Sequence, residues 1–223
     1  MEWRRAVDLA KDVRVLLQPA CERVEIAGSL RRMRSEINDI EIVAIPKRDP
    51  FDQLQLRLAD LVSNNWFMVG AKSKDGKKPP MGPRYYRLAV PVDLNPSLLP
   101  MIQLDIFAVL PPADWGIIYT IRTGPWEFSK WLVTEALNRG FKVQDGQLFK
   151  IHKDEQPWRF EHIPCNEERD LFQALGIPWV EPRDRDPGLF PAITMPSLAS
   201  SARQPNNPPS ISTAPNQPML RGE

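Results

Sequence analysis

Residues 3–18 place Val7, Leu9, Ala10, Val13, Leu16 and Leu17 near helical spacing among Arg, Asp and Lys, which predicts an amphipathic helix closed by Pro19. The period then changes. "RVEIAG" (23–28) and "DIEIVAI" (39–45) alternate as strands do, and "FDQLQLRLADLVSN" (51–64) returns to helical spacing after Pro50. "WFMVGA" (66–71), "RYYRLAV" (84–90) and "MIQLDIFAVL" (101–110) are three further strands, separated by loops rich in Pro, Gly, Lys and Asn. Residues 1–110 therefore read as a mixed sheet carrying helices.

A second unit follows "LPPADWG". Residues 125–139 read as a helix with Pro125 at its first position and Gly140 as its stop. Next come a hairpin, "FKVQDGQLFK", with Asp-Gly as its turn, and a helix over 167–175. Asn166 with Glu167 and Glu168 opens that helix, and Gly176 closes it before Pro178. From Pro187 onward the chain carries eight of its 24 prolines, with many Ser, Asn and Gln and almost no charge. Such a composition does not offset its ordering entropy, so 187–223 is expected to be a disordered tail. The expected organisation is thus 1–110, 111–186 and the tail, in the α+β class.

Composition narrows the picture less than pattern does. The 223 residues have a net charge of +1 from 29 basic and 28 acidic side chains, so any nucleic-acid footprint has to be local. Cys21 and Cys165 are far apart and lack neighbours at metal-ligand spacing; no disulfide and no zinc are expected, and the thiols suit a reducing compartment. No stretch approaches the roughly 20 apolar residues of a membrane span, and a cytoplasmic, monomeric protein is expected.

Candidate chemistry sits in "AGSLRRMRSEINDIEIVAIP" (27–46). In a strand, residues i and i+2 face the same way roughly 6.6 Å apart, so Asp39 and Glu41 project together while Ile40 and Ile42 project oppositely. On "QLDIFAV", Gln103, Asp105 and Phe107 share a face, and Asp105 could join the pair from a neighbouring strand. Three carboxylates at one place repel unless cations sit among them, and oxygen-only ligation favours Mg²⁺ or Mn²⁺. Gly28 permits close backbone approach, Ser29 offers a hydroxyl, a helix starting near residue 29 presents N–H groups, and Arg31 and Arg32 add charge, which together read as a phosphate cradle. Taken singly, each element has a plain alternative: a solvated acid pair, an ordinary turn, a wet arginine surface.

"GSLRRMRSEINDIEI", with Asp105 in "QLDIF", resembles the signature of the polymerase-beta nucleotidyltransferase superfamily. "RTGPWEFSKWLVTEALNRGFKVQDGQLFK" and "NEERDLFQALGIPWVEPRDR" are similar to the thumb of X-family DNA polymerases, and the likeness runs over about residues 24–186. It implies a nucleotidyltransferase palm followed by a thumb, without the family's lyase domain, so deoxyribose-phosphate lyase activity is not expected. It further implies two Mg²⁺ ions, replaceable by Mn²⁺, on Asp39, Glu41 and Asp105. The partners implied are deoxynucleoside triphosphates and gapped or primer-template DNA, bound near the nucleoid if the host is a bacterium or phage. Gly28, Ser29 and Arg32 would bind the triphosphate, Thr123 and Gly124 would line the sugar and base, and Ser129 and Lys130 would meet the nascent pair. In the family the peptide after that Gly is cis, so a cis Gly124–Pro125 bond is expected.

The chain also departs from the family pattern. Ile121-Arg122 stands where two aromatics usually crowd the ribose, Ile37 or Asn38 replaces a phosphate-contacting serine, and Val133 replaces an arginine on the thumb helix. The loop "AKSKDGKKPPMGPRYYR" offers Lys72, Lys74, Lys77, Lys78, Arg84 and Arg87 to a DNA backbone, or is simply a solvated loop. Trp115, Trp126, Trp131 and Trp179 read as packing residues, and His152 and His162 have no partner at useful spacing. The tail motifs "PNNP" and "PNQP" suit a tether or a protein partner. The implied activity is template-directed gap filling; template-independent nucleotidyl transfer and a non-catalytic DNA-end-binding module are the alternatives.

Overall fold

Five side chains make the first helix: Ala6, Leu9, Ala10, Val13 and Leu17 fall on one stripe of α1 (Trp3–Leu17) and are buried. The structure, a computed structural model, describes residues 1–70, 81–92, 100–154 and 156–188. After a 3₁₀ turn at Gln18–Ala20 come β1 (Cys21–Ile26), the single turn α2 (Gly28–Arg31), β2 (Asp39–Pro46) and α3 (Gln53–Ser63). Asp52 caps α3 by accepting the Gln55 N–H at 3.0 Å. Strands β3 (Met68–Val69), β4 (Met81–Gly82), β5 (Tyr85–Pro91) and β6 (Met101–Ala108) complete a mixed sheet in the order β1-β2-β6-β5-β3, with β4 paired to β5. Only β2 and β6 run parallel among these described pairs. The strand expected over 66–71 is reduced to two residues, because the Trp66 and Phe67 amides turn back onto the Leu61 carbonyl at the end of α3.

Alternation gives this sheet two unlike faces. Ile40, Ile42, Leu88, Val90, Leu104 and Ile106 are buried in one apolar core with α1 and α3. On the opposite face stand Asp39, Glu41 and Val43 beside Gln103, Asp105 and Phe107. The Val43 half of that face is covered by α4 (Trp115–Thr123), whose Trp115 and Tyr119 pack with Val43, Phe107 and Val109. Helix α4 is not among the elements the pattern predicts, since its Ile, Tyr and Thr residues favour strands. Burial imposes it: Gly116 lies so close to the Cys165 and Glu167 carbonyls that a Cβ there would collide with them.

Then follow α5 (Trp126–Asn138), β7 (Phe141–Gln144), β8 (Gln147–His152), β9 (Arg159–Ile163) and α6 (Glu168–Leu175). The turn between β7 and β8 has φ of 51° at Asp145 and 77° at Gly146, the doubly positive geometry that Asp-Gly supplies. Strand β9, paired to β8, is a second unpredicted element; its "RFEHI" carries too much charge to read as an apolar alternation. Phe128, Leu132, Leu148, Leu171 and Phe172 form the core of this part. Helix α6 starts one residue later than expected: Glu167, not Asn166, is its N-cap, in a reciprocal capping box with Asp170. Pro125 likewise caps α5 instead of entering it, and the Gly124–Pro125 bond is trans. Gly124 is extended there and the Pro125 carbonyl accepts the Ser129 N–H at 3.0 Å, so the trans form, intrinsically favoured by about 0.5–1 kcal/mol, meets every local need. The tail expected from 187 lies, beyond Gly188, outside the described residues.

Residues Met1–Pro191 belong to one compact unit, and buried ion pairs cross it. Arg185 is wholly buried, ringed by Phe128, Phe172 and Trp179, and donates to Glu168 at 2.8 Å and to the Val180 carbonyl at 3.1 Å. Glu168 also accepts from Arg31 of α2. Burial pushes the Glu168 carboxyl up, yet Arg31 and Arg185 together outweigh it and hold the group below its ordinary value. One step along, Asp186 pairs with Arg32 at 3.0 Å and Arg34 at 3.3 Å. Glu168→Ala strips the buried Arg185 of its counter-charge and is expected to cost about 3–5 kcal/mol, measured as a lowered urea midpoint at unchanged m. A loss under about 1 kcal/mol would show that the pair does not hold the unit together.

Candidate active site

The register of β2 on β6 sets Asp39 beside Gln103 and Glu41 beside Asp105, on the sheet face that the covered Val43 half leaves next to α2 and the start of α5. A cavity of about 420 Å³ stands there, lined by Ser29, Arg32, Asp39, Glu41, Ile121, Arg122, Gly124, Pro125, Trp126 and Ser129. Gly28 is indispensable to it. At φ of 60° it adopts a backbone that L side chains rarely take, and a Cβ there would run into the Glu41 carboxylate. Glu41 thus lies folded against the turn that the sequence singled out.

The acids feel one another. Burial first, then the Asp39 charge, pushes Glu41 up to about 7, although Arg122 and Arg32 act in the opposite direction. Burial and the Asp105 charge raise Asp39 as well. Asp105 is differently placed: Arg87 holds it bidentately, Nε to Oδ1 at 3.0 Å and Nη2 to Oδ2 at 3.1 Å, and Gln103 donates to Oδ2 at 2.9 Å. Among the described residues no three His, Cys, Asp or Glu side chains converge closely enough to hold a metal ion as they stand. The donor set still has hard-cation chemistry: three carboxylates on adjoining registers, two of them with proton affinities raised by crowding and burial.

Several expected roles shift. Arg32 lines the cavity, but its Nε is bound to Asp186 and its Nη1 donates to the Thr123 carbonyl at 2.6 Å. Thr123 does not face the cavity; it is fully buried and its Oγ1 accepts from Arg31 at 2.7 Å, so it fixes both arginines instead of lining a sugar. Gly124 and Ser129 do line the cavity, and the Ser129 hydroxyl is donated to the Ile121 carbonyl at 2.9 Å. Lys130 stands outside the lining, its ammonium 5.2 Å from the Trp126 ring centroid. Arg84 is turned toward the Leu110 and Pro111 carbonyls just beyond β6, and Arg87 onto Asp105, so the fold gives both internal partners. Lys72, Lys74, Lys77 and Lys78 lie outside the described residues.

Other residues enter that pattern reading passed over. Arg122 lies 3.9 Å over the Phe107 ring, beside Glu41. Trp126, expected in packing, is 69% exposed and lines the cavity. The histidines also have partners, His152 with Glu161 at 2.7 Å and His162 with Asp114 at 2.9 Å. Of the residues that hold Asp105, Gln103 carries a sequence signal, its period-two relation to Asp105, whereas the Arg87 pairing exists only once β5 is in register with β6.

Among the described residues no helix is long and apolar enough to cross a membrane. A comparison with the curated proteins finds no match. Residues 119–186, from Tyr119 in α4 through α5, the three-stranded sheet and α6 to Asp186, match the family model described as DNA polymerase beta thumb. The stretch that supplies Gly124, Ser129, Glu168, Arg185 and Asp186 is therefore similar to a polymerase-beta thumb, in agreement with the likeness to X-family polymerases read from the sequence.

Proposed function

We propose that the protein is a DNA-directed DNA polymerase of the X family, filling short gaps in DNA repair by nucleotidyl transfer to a primer 3′-hydroxyl. The observation that carries this reading is the β2–β6 register, which sets Asp39, Glu41 and Asp105 on one face beneath a cavity whose far wall is the start of the thumb helix α5. Asp39, Glu41 and Asp105 would hold Mg²⁺ or Mn²⁺. Bound there, such ions activate the attacking hydroxyl and neutralise charge on the triphosphate.

The chain's own residues supply position. Arg87 and Gln103 fix the direction of the Asp105 carboxylate, acting as positioning residues. Arg32, anchored by Asp186 and the Thr123 carbonyl, presents a fixed positive charge to the cavity beside Ser29, where a triphosphate would lie. Arg122, stacked on Phe107, brings a second cation to the same wall. Gly124, Pro125 and Trp126 leave a nucleoside-sized space against the thumb.

Primer extension with Mg²⁺ on a one-nucleotide-gap duplex, an open template-primer and a single strand tests this reading. Wild type is expected to add the nucleotide that the template dictates, and Asp105→Ala to lose at least about 10³-fold in rate, the scale of removing one preorganised charge from a transition state. Addition on single strands alone would assign template-independent transfer, and binding without incorporation a DNA-end-binding module.

The crowding of the acids gives a second prediction. The ionised form of Glu41 is disfavoured in the folded state, so its penalty is absent below the ordinary value of 4.5 and complete above about 7. In EDTA, Glu41→Gln should therefore be more stable than wild type at pH 8.5 by about 1–3 kcal/mol, an advantage that vanishes by pH 4. Superimposable urea curves of the two proteins at pH 8.5 would refute it.

A further inference from the structure

The β7–β9 sheet also has two unlike faces. Val143, Leu148 and Ile163 pack inward on the thumb core. Opposite them, alternation brings Phe149, Ile151 and Lys153 onto the outer face, with His162, Phe160 and Trp158 facing out from the neighbouring strand and the residue before it. Ile151 is directly across from Phe160 and Phe149 from His162, whose ring centroids are 5.7 Å apart. Trp158 and Phe160 are 50% and 47% exposed, and neither belongs to the thumb core. Each has its own ammonium: Lys153 lies 5.8 Å from the Trp158 centroid and Lys142 5.5 Å from that of Phe160. The candidate active site uses none of these residues.

We propose that this outer face is a platform for unpaired nucleic acid, on which bases stack against Trp158 and Phe160 while Lys153 and Lys142 meet the adjoining phosphates. The chemistry favours that occupant over a protein. Protein interfaces deplete Lys at their centres, whereas here a lysine accompanies each exposed ring. Single-strand binding combines aromatic platforms with cations that follow the backbone. Residues i and i+2 of a strand are roughly 6.7 Å apart, a spacing that successive nucleotides of an extended single strand can match. Two nearby acids are engaged: Glu161 faces the other way and binds His152, and Asp114 binds His162. The inference does not depend on the transfer chemistry proposed above, and an unpaired template segment would be one source of such a strand.

The test is fluorescence anisotropy of labelled dT12 with the full chain, without metal or nucleotide, against a blunt duplex of equal length. Trp158→Ser/Phe160→Ser is expected to weaken dT12 binding about tenfold or more, since stacking contributes about 1–3 kcal/mol per base. Trp158→Phe/Phe160→Tyr, which keeps the rings, is expected to stay within about threefold of wild type. Lys142→Gln/Lys153→Gln should flatten the slope of log K against log salt by about 1.4, two phosphates at roughly 0.7 each. This exposed pair is informative even if the serine variant fails to fold. Wild type that binds dT12 but extends no primer on any of the substrates above would sink the polymerase reading and leave this one standing. Unchanged dT12 affinity and salt slope in the lysine variant would overturn the proposal, as would a serine variant that alters only the sedimenting mass and so marks the face as a self-association surface.

Discussion

Two adjacent arginines on one helical turn decide how this molecule is assembled. Arg31 reaches Glu168 and Thr123; Arg32 reaches Asp186 and the Thr123 carbonyl. The turn that places Gly28 against Glu41 is thereby tied to the thumb at three points. Arg185 closes the network from inside, since a buried guanidinium needs the charge that Glu168 provides. Desolvating so many charges is costly, and the same energy spent on apolar side chains would hold the parts together at least as well. What the ionic version adds is direction, because a bidentate or forked contact fixes orientation where a leucine does not. The cavity between sheet and thumb needs that orientation, as its opposite walls come from residues 29–41 and 121–129.

The sheet itself shows how one alternation serves two purposes. On one side, Ile40, Ile42, Leu104 and Ile106 make the main core; on the other, the same strands change from acids to apolar residues halfway along. Val43 and Phe107 accept α4 as a cover, whereas Asp39 and Glu41 line the cavity, with Asp105 beside Glu41 on the next strand. Crowding three carboxylates costs stability, visible in the raised proton affinity of Glu41 and Asp39. Arg87, Arg122 and Arg32 lessen the cost without removing it.

Much of this was legible in the sequence. The period-two pattern located β2 and β6 and the shared face of Asp39 and Glu41, and the helical stripes located α1 and α3, because both depend on spacing alone. The thumb hairpin was legible through Asp145-Gly146, whose backbone only a few residue types adopt. Helix α4 and strand β9 were not, since α4 is held by burial against propensity and β9 by pairing against polarity. Nor could spacing show that Thr123 faces inward, that Arg87 crosses to Asp105, or that Trp126 stands in the open; each depends on which distant strand or helix lies alongside. The trans Gly124–Pro125 bond marks the limit of likeness, where a family habit gave way to a proline content with its ordinary form.

Glu167 accepts at both ends of a long chain separation. It caps α6 by accepting the Asp170 N–H, and it grips Arg23 of β1 through two hydrogen bonds at 2.6 and 2.9 Å. One carboxylate thus serves as the start of a helix and as a rivet to a strand 144 positions earlier. Positions 23 and 167 are consequently not independent sites for sequence drift: a change in the strand residue is felt as a change in how firmly a distant helix begins.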